Sequence, residues 1–406
     1  MRMHPSKRII GEFSERLSGK KILLGVTSSA AIYRSLDLAR SLMRHGAEIY
    51  VIMTPKASEL ISPQLFEWAT GNEVLVELSG KIEHISLSEK VDLMVIAPAT
   101  ANTIIKLAYG IADNALLTTA LAMIGMKKPV IIVPAMHGSL WNSPQLKFAL
   151  NRLLENDVII LKPQIVEEKA KIPPNEEILE YVFKLFTRQT LKKKQILITA
   201  GSTRIYIDSI RFISNPSSGK MGVAMALEAF ARGGNVTLLL AKHSTHKYYI
   251  PREINVQFFE TYNELLQLVE KYSGKADIIV HTAAVGDFQP EKKYSGKLKS
   301  GTTLTLKLIP TKKIIKVIRD TNPDANVIAF KAEWNVSQTE LKQIAIDFLN
   351  KYNLTAVVAN DVSKGIFGAD TTKALLVIRK NGEIKVYPLE GDKRDVSGKI
   401  WNLIYS

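Results

Sequence analysis

The 406-residue sequence contains no cysteine. Disulfides, thiolate metal sites and thiol catalysis by the chain's own side chains are therefore excluded. No apolar run reaches the ~18 residues of a membrane-spanning helix. The opening stretch "MRMHPSKRIIGEFSERLSGKK" lacks the continuous apolar core of a signal peptide. No membrane association and a cytoplasmic location are expected. The net charge is +15, yet Lys and Arg are spread along the chain without an arginine-rich or aromatic-interleaved block. That distribution argues against nucleic acid and suits phosphorylated small molecules. Two nucleotide fingerprints are also missing. "GVTSSAAIYRS" (25–35) is not G-x-G-x-x-G, which speaks against a dinucleotide-dependent dehydrogenase. In "ISNPSSGKMG" (213–222), Gly219-Lys220 is followed by Met221, and Ser214 stands where a Walker loop has its first glycine.

What is present is an ordinary globular composition, 46% hydrophobic and 23% charged. The length suits two domains of roughly 200 residues each. Apolar runs of strand length alternate with helix-period segments. "KILLGVT" (21–27), "EIYVIMT" (48–54), "VDLMVIAPA" (91–99), "PVIIVPAM" (129–136) and "DVIILKP" (157–163) read as buried strands. Ile32, Leu36, Ala39 and Met43 follow a 3.6-residue period, and Gly46 is a stop signal. The basic stretch 187–195 reads as a linker, after which the pattern restarts at 196–202, 235–241, 277–285, 326–333 and 355–361. Helix-period segments include 219–232 and 337–351, and Asn381-Gly382 predicts a hairpin over 373–389. The expected fold class is α/β, with two doubly wound Rossmann-like domains over 1–188 and 189–406. Ligands in such sheets bind outside the carboxyl ends of the strands.

The loops there carry the functional signal. Thr27, Ser28 and Ser29 sit at a helix start; one hydroxyl is explained equally by a cap, but three together favour a phosphate site. "APATANT" (97–103) places Thr100, Asn102 and Thr103 beside an apolar shelf suited to a flat ring system. His84 precedes the strand that supplies that shelf; a lone histidine is more often structural, and this position raises its weight. In the second half, "TAGSTR" (199–204) and "NPSSGKMG" (215–222) form two small-residue loops near one sheet edge, the second suited to anions at a helix start.

These motifs resemble a known family. His84, "VDLMVIAPATANT", "GIADN" and "PAMHGSLW" are similar to the flavin-dependent phosphopantothenoylcysteine decarboxylases. "TAGSTR", "RFISNPSSGKMG", "TAAVGDF", "KLKS" and "AND" are similar to the phosphopantothenate–cysteine ligases. Fused in this order, they resemble the bifunctional enzymes of coenzyme A biosynthesis over roughly residues 20 to 400, in a cysteine-free, archaeal-like form.

The resemblance implies a flavodoxin-like flavoprotein domain followed by a nucleotide-binding ligase domain. It places FMN against Ser28, Ser29, Ala30, Thr54, Thr100, Asn102, Thr103 and Ala135, with His84 as base or carboxylate-positioning group. His137 stands where bacterial and plant members carry a substrate-binding Asn. The family's flap cysteine is absent; Lys169 and Lys171, in "QIVEEKAKIPPNEEI" (164–178), are the candidate replacements, as a burial-tuned proton donor or as phosphate contacts.

For the ligase half the resemblance implies CTP, an acyl-cytidylate and Mg²⁺ brought by the triphosphate, with no protein metal cluster. Asn215 would hold the acyl-nucleotide with support from Arg211, and Gly219 and Gly222 would permit close backbone approach. Ala283, Ala284, Val285 and Asp287 would contact the nucleotide, with Phe330 and Lys331 nearby. Lys297, with Lys299 as alternate, would sit on a flap (293–301) over the phosphates. The substrates are then 4′-phosphopantothenate, cysteine and CTP, and the assembly a homo-oligomer, with a trimer-based dodecamer as one form. The alternative is an active ligase fused to a flavin-binding regulatory half that does not decarboxylate.

Overall fold

The computed structural model describes residues 4–292, 294–299, 301, 303–363 and 368–405. The chain divides into two compact units, Met1–Phe186 and Thr187–Ser406.

The first unit contains β1 (Lys21–Val26), β2 (Glu48–Met53), β3 (Val74–Leu75), β4 (Leu93–Ala99), β5 (Val130–Pro134), β6 (Met136–His137), β7 (Ile159–Ile160), β8 (Gln164–Val166) and β9 (Lys169–Lys171). A parallel sheet runs in the order β3-β2-β1-β4-β5-β7. Every residue of β4 is buried, as expected of a central strand covered on both faces. Alternation sorts β1 between two cores. Ile22 and Leu24 join Leu38 and Leu42 of the helix Tyr33–Arg44 and Val182 of the helix Asn175–Phe186. Leu23 joins Ile104, Leu116 and Leu146 on the other face. The helix Tyr33–Arg44 stops before Gly46, whose φ of 102° and 2.8 Å approach of an added Cβ to the Ser18 nitrogen demand glycine. The run 157–163 yields only the two-residue β7, flanked by buried Val158 and Leu161.

The second unit contains β10 (Gln195–Ala200), β11 (Arg204–Tyr206), β12 (Phe212–Ser214), β13 (Asn235–Ala241), β14 (Asn255–Phe259), β15 (Ile278–His281), β16 (Phe288–Pro290), β17 (Leu308–Pro310), β18 (Asn326–Glu333), β19 (Ala356–Asp361), β20 (Thr371–Lys380) and β21 (Glu383–Asp392). Its main sheet has the order β14-β13-β10-β15-β18-β19-β20-β21. It is parallel from β14 to β19 and antiparallel beyond. Asn381 and Gly382, both with positive φ (53° and 81°), form the two-residue turn of the β20–β21 hairpin. The helices Tyr262–Ser273 and Gln338–Lys351 each begin with a complete capping box, Thr261 with Glu264 and Ser337 with Glu340.

The helix Lys220–Ala231 is buried from Gly222 to Ala231, which explains its apolar circumference. The helix Lys393–Tyr405, not foreseen from the sequence, covers one side of it. The Trp401 indole donates to the Met225 carbonyl at 3.1 Å, and buried Glu228 accepts from both Arg232 and Arg394.

In both sheets the chain winds outward one way from a central strand, then returns and winds the other way. The switch points lie between β1 and β4 and between β10 and β15.

Candidate functional sites

The first cleft opens at the β1/β4 switch point and has a volume of about 970 Å³. Ser28, Ser29, Ala30, Thr54, Thr100, Asn102, Thr103, Ala135, His137, Lys169 and Lys171 all line it. Its hydroxyls are mostly helix caps. Ser29 accepts from the Ala31 N–H, Thr54 from Ala57 and Thr100 from Thr103. Three helix starts therefore face one cleft. Thr27 belongs elsewhere: it is buried, donates to the Pro98 carbonyl at 2.8 Å and accepts from Thr100 at 3.2 Å. The third hydroxyl of the supposed phosphate trio is thus a stitch between the two loops at the switch point.

His137 caps the short helix Gly138–Trp141. Its Nδ1 accepts from the Ser139 N–H, which leaves Nε2 to carry the ring proton. The segment 164–171 is a hairpin, β8 and β9, joined by Glu167 and Glu168, both with positive φ. β9 pairs with β6, opposing Lys169 to His137, and Gly138 donates to the Glu168 carbonyl at 2.6 Å. A Cβ on Gly138 would lie 2.3 Å from that carbonyl oxygen, so the hairpin seats only against glycine. The burial expected of a tuned lysine is not found. Lys169 and Lys171 are exposed, alternating with buried Ala170, and Lys171 pairs with Glu167 at 3.0 Å.

His84 lies in the helix Glu83–Lys90, outside the lining of the cleft. Its Nδ1 is buried and makes no hydrogen bond among the described residues.

The second cleft, about 380 Å³, opens at the β10/β15 switch point. Asn215, Gly219, Gly222, Ala283, Ala284, Val285, Asp287, Phe330, Lys331 and Asn360 line it. Gly219 is the N-cap of the helix Lys220–Ala231 with φ of 76°. Gly222 serves packing: a Cβ there would meet the Ala200 Cβ at 2.4 Å and the Thr282 hydroxyl at 2.5 Å. The Asn215 amide donates to the Val285 carbonyl at 3.4 Å. Asp287 pairs with Lys313 at 2.6 Å, and Lys331 with Glu333 at 2.7 Å.

Arg211, Lys297 and Lys299 are not among the lining residues. Arg211 pairs with Asp208 and donates to the Leu298 carbonyl at 3.3 Å. Asp208, buried, also accepts the N–H groups of Ile210, Arg211 and Leu298, which hold its carboxyl well below the usual range. It anchors the expected flap at Leu298. Lys297 and Lys299 are exposed on either side of Leu298, and Lys293 and Ser300 of that flap lie outside the described residues.

Sequence reasoning passed over several lining groups. His281 faces the second cleft, and Thr199 bonds its Nδ1 at 2.9 Å while accepting the Ala283 N–H. Burial pushes the His281 pKa down to about 4, so the imidazole is neutral at pH 7. Phe348 and Tyr352, in edge contact at 5.0 Å between ring centres, also line the cleft, as do Lys220, Lys312, Lys313 and Lys393. The i, i+4 aromatic pair was visible in the sequence but is indistinguishable there from ordinary core. Among the described residues no cluster of three or more His, Asp or Glu could hold a metal, and no helix is long and apolar enough to cross a membrane.

Residues 10–187 match the flavoprotein family, and residues 191–406 match the C-terminal domain of the DNA/pantothenate metabolism flavoproteins. The coenzyme A biosynthesis bifunctional protein CoaBC of Thermococcus kodakarensis is 39% identical over 408 residues, spanning 99% of each chain. That of Methanocaldococcus jannaschii is 40% identical over 401 residues, spanning 98% of this chain and 96% of its own. A solved C-terminal domain of a coenzyme A biosynthesis bifunctional protein CoaBC is 29% identical, covering 53% of this chain and 96% of its own with a TM-score of 0.44. With both units matched and the likeness running nearly end to end, the chain belongs to the CoaBC family of bifunctional coenzyme A biosynthesis proteins.

Proposed function

We propose that the second unit joins cysteine to 4′-phosphopantothenate with CTP, and that the first decarboxylates the product to 4′-phosphopantetheine. The observation that carries this reading is the full-length likeness to bifunctional relatives, combined with one separate cleft in each unit.

In the first cleft, FMN fits the donor set: hydroxyls of Ser28, Ser29 and Thr100, the Asn102 amide, helix starts for a phosphate, and Ala135 against a flat ring. Bound there, FMN supplies the reversible oxidation of the substrate thiol that makes loss of CO₂ feasible. His137 Nε2–H is a donor for the substrate carboxylate. His84 is the base or carboxylate-positioning group, and its unbonded buried Nδ1 is the feature that supports a partner from outside its own helix. Lys169 and Lys171, at the exposed hairpin, suit substrate phosphate better than proton donation from a dry pocket.

In the second cleft, the phosphopantothenate carboxylate oxygen bonds the α-phosphorus of CTP as pyrophosphate leaves. The cysteine amine then attacks the acyl carbon and CMP departs. Asn215 and Gly219 hold the acyl-nucleotide, and Ala283, Ala284 and Val285 line its path. Asp287 meets the base after exchanging its bond from Lys313. Phe330 and Lys331 flank the nucleotide, and Mg²⁺ arrives with the triphosphate. Lys297 stabilises the leaving group, with Lys299 as alternate, and Arg211 braces the segment that carries them.

The chain works as a homo-oligomer. Exposed Tyr33, Trp68 and Phe148 on the first unit support that reading, and a monomer by light scattering would count against it.

The test supplies the purified protein with FMN, phosphopantothenate, cysteine, CTP and Mg²⁺, and follows pyrophosphate and CO₂ separately. Both products are expected from the wild type, CO₂ alone lost in His84→Ala, and pyrophosphate lost in Lys297→Ala. Pyrophosphate without CO₂ from the wild type would overturn the decarboxylase assignment.

A further inference from the structure

Two lysines from different helices grip the same three-residue strap. Lys220 opens the helix Lys220–Ala231; its Nζ donates to the Gly368 carbonyl at 2.6 Å and pairs with Asp370 at 2.8 Å. Lys393 opens the helix Lys393–Tyr405; its Nζ donates to the Ala369 carbonyl at 2.5 Å, and its N–H to the Asp370 carbonyl at 3.0 Å. Lys247 takes the second Asp370 carboxylate oxygen at 3.1 Å. Two ammonium groups thus hold the Asp370 carboxylate, and a third, that of Lys393, sits on the carbonyl of the preceding residue.

Lys393 is the notable member. It is 6% exposed, yet it lines the second cleft together with Lys220, Gly368, Ser217 and Ser218. Burial foremost, and then the Lys220 charge, push its pKa below the usual lysine range. It cannot easily swing out, because the next residue, Arg394, is tied to buried Glu228 at 2.6 Å. Alongside, the N-cap of the helix Lys220–Ala231 is Gly219, which offers no capping side chain to its first N–H groups, and such groups favour anions. Three lysines against Asp370 and Asp392 leave an excess of positive charge, which favours a multiply charged anion.

We infer that Lys393 and Lys220 form a pyrophosphate seat, and that Asp370 is an internal counterion held there until the β- and γ-phosphates of a nucleotide displace it. This rests on the ligase reading: as the bond from the α-phosphorus to its bridging oxygen breaks, the electron pair leaves on pyrophosphate, and the two ammonium groups stabilise it.

The test uses the full chain, with inorganic pyrophosphate as probe and product inhibitor. Lys393→Met keeps the side-chain length without the charge. It is expected to raise the pyrophosphate inhibition constant and the KM for CTP by about tenfold or more, with the KM values for phosphopantothenate and cysteine within about twofold. Lys393→Arg is expected to recover most of the loss. Asp370→Asn, which removes the internal competitor, is expected to tighten pyrophosphate. Thermal melts report folding; if Lys393→Met does not fold, the opposite-sign effect of Asp370→Asn carries the test. Unchanged pyrophosphate inhibition in a folded Lys393→Met, or weaker pyrophosphate binding in Asp370→Asn, overturns the seat. A wild type that binds pyrophosphate through Lys393 but releases none from CTP keeps the seat and rejects the ligase reading.

Discussion

The two clefts occupy the same place in two similar sheets but are furnished differently. The first presents neutral caps at its helix starts, where Ser29, Thr54 and Thr100 each bond the helix they start, with the pairs Lys106–Asp113 and Lys171–Glu167 at its edge. The second is walled by charges already paired within the chain, Lys220 with Asp370, Asp287 with Lys313, and Lys331 with Glu333. A resident cofactor suits the first arrangement, because its helix starts hold neutral groups and no ion pair there must be broken for it to bind. A substrate that arrives and leaves suits the second, where each internal ion pair competes with the ligand and limits how tightly it is held.

The largest expected effect separates the units by stability. Glu228 is buried between Arg232 and Arg394, and Glu228→Gln leaves both guanidinium groups without their carboxylate. A loss of about 3–5 kcal/mol from the second unit is expected. Denaturant unfolding should then show two transitions, with flavin release following the later one; a single shifted transition would mean that the units unfold together.

Next is a pH effect confined to the second unit. His281 has its pKa lowered by burial to about 4, against 6.5 for the free group. The neutral form is therefore favoured by folding. Its contribution is complete above pH 6.5 and is lost as pH falls from 6.5 toward 4. Melts of His281→Gln across that range should be flatter with pH than those of the wild type. Equal slopes would remove His281 from the account.

Ionic strength offers a smaller contrast. Raising salt from about 50 to 300 mM should weaken CTP several-fold while FMN changes by less than about twofold. Calorimetric titration of each ligand checks it, and equal sensitivity would erase the distinction between capped and charged walls. The smallest effect is at Thr27. Thr27→Val removes its bonds to Pro98 and Thr100, with an expected loss of about 1 kcal/mol in stability and little direct loss of flavin phosphate contact, read by denaturant midpoint and FMN titration.

Strand runs and helix periods carried the α/β class, because buried parallel strands are written as continuous apolar segments. The helix Lys393–Tyr405 escaped notice because its buried face includes Lys393, Arg394 and Ser397, residues whose partners lie far away in sequence. The β11–β12 and β16–β17 ribbons are three residues per strand, too short for periodicity to register. At the sites, motif matching found loops that the fold does gather into clefts. It could not tell a ligand hydroxyl from a stitch, as at Thr27, or foresee that Asp208 anchors the segment bearing Lys297, since both depend on contacts to distant backbone. The Lys220–Asp370–Lys393 group was invisible for the same reason.

The packing of Trp401 on Met225 has a consequence for biosynthesis. The two residues stand 176 positions apart. At roughly 5–20 residues per second, the ribosome needs about 10 to 35 s to travel between them. For that interval the most apolar helix of the second unit lacks its cover, and the nascent chain carries an exposed sticky segment. Chaperone demand for the second unit should therefore last until the helix Lys393–Tyr405 has left the ribosome.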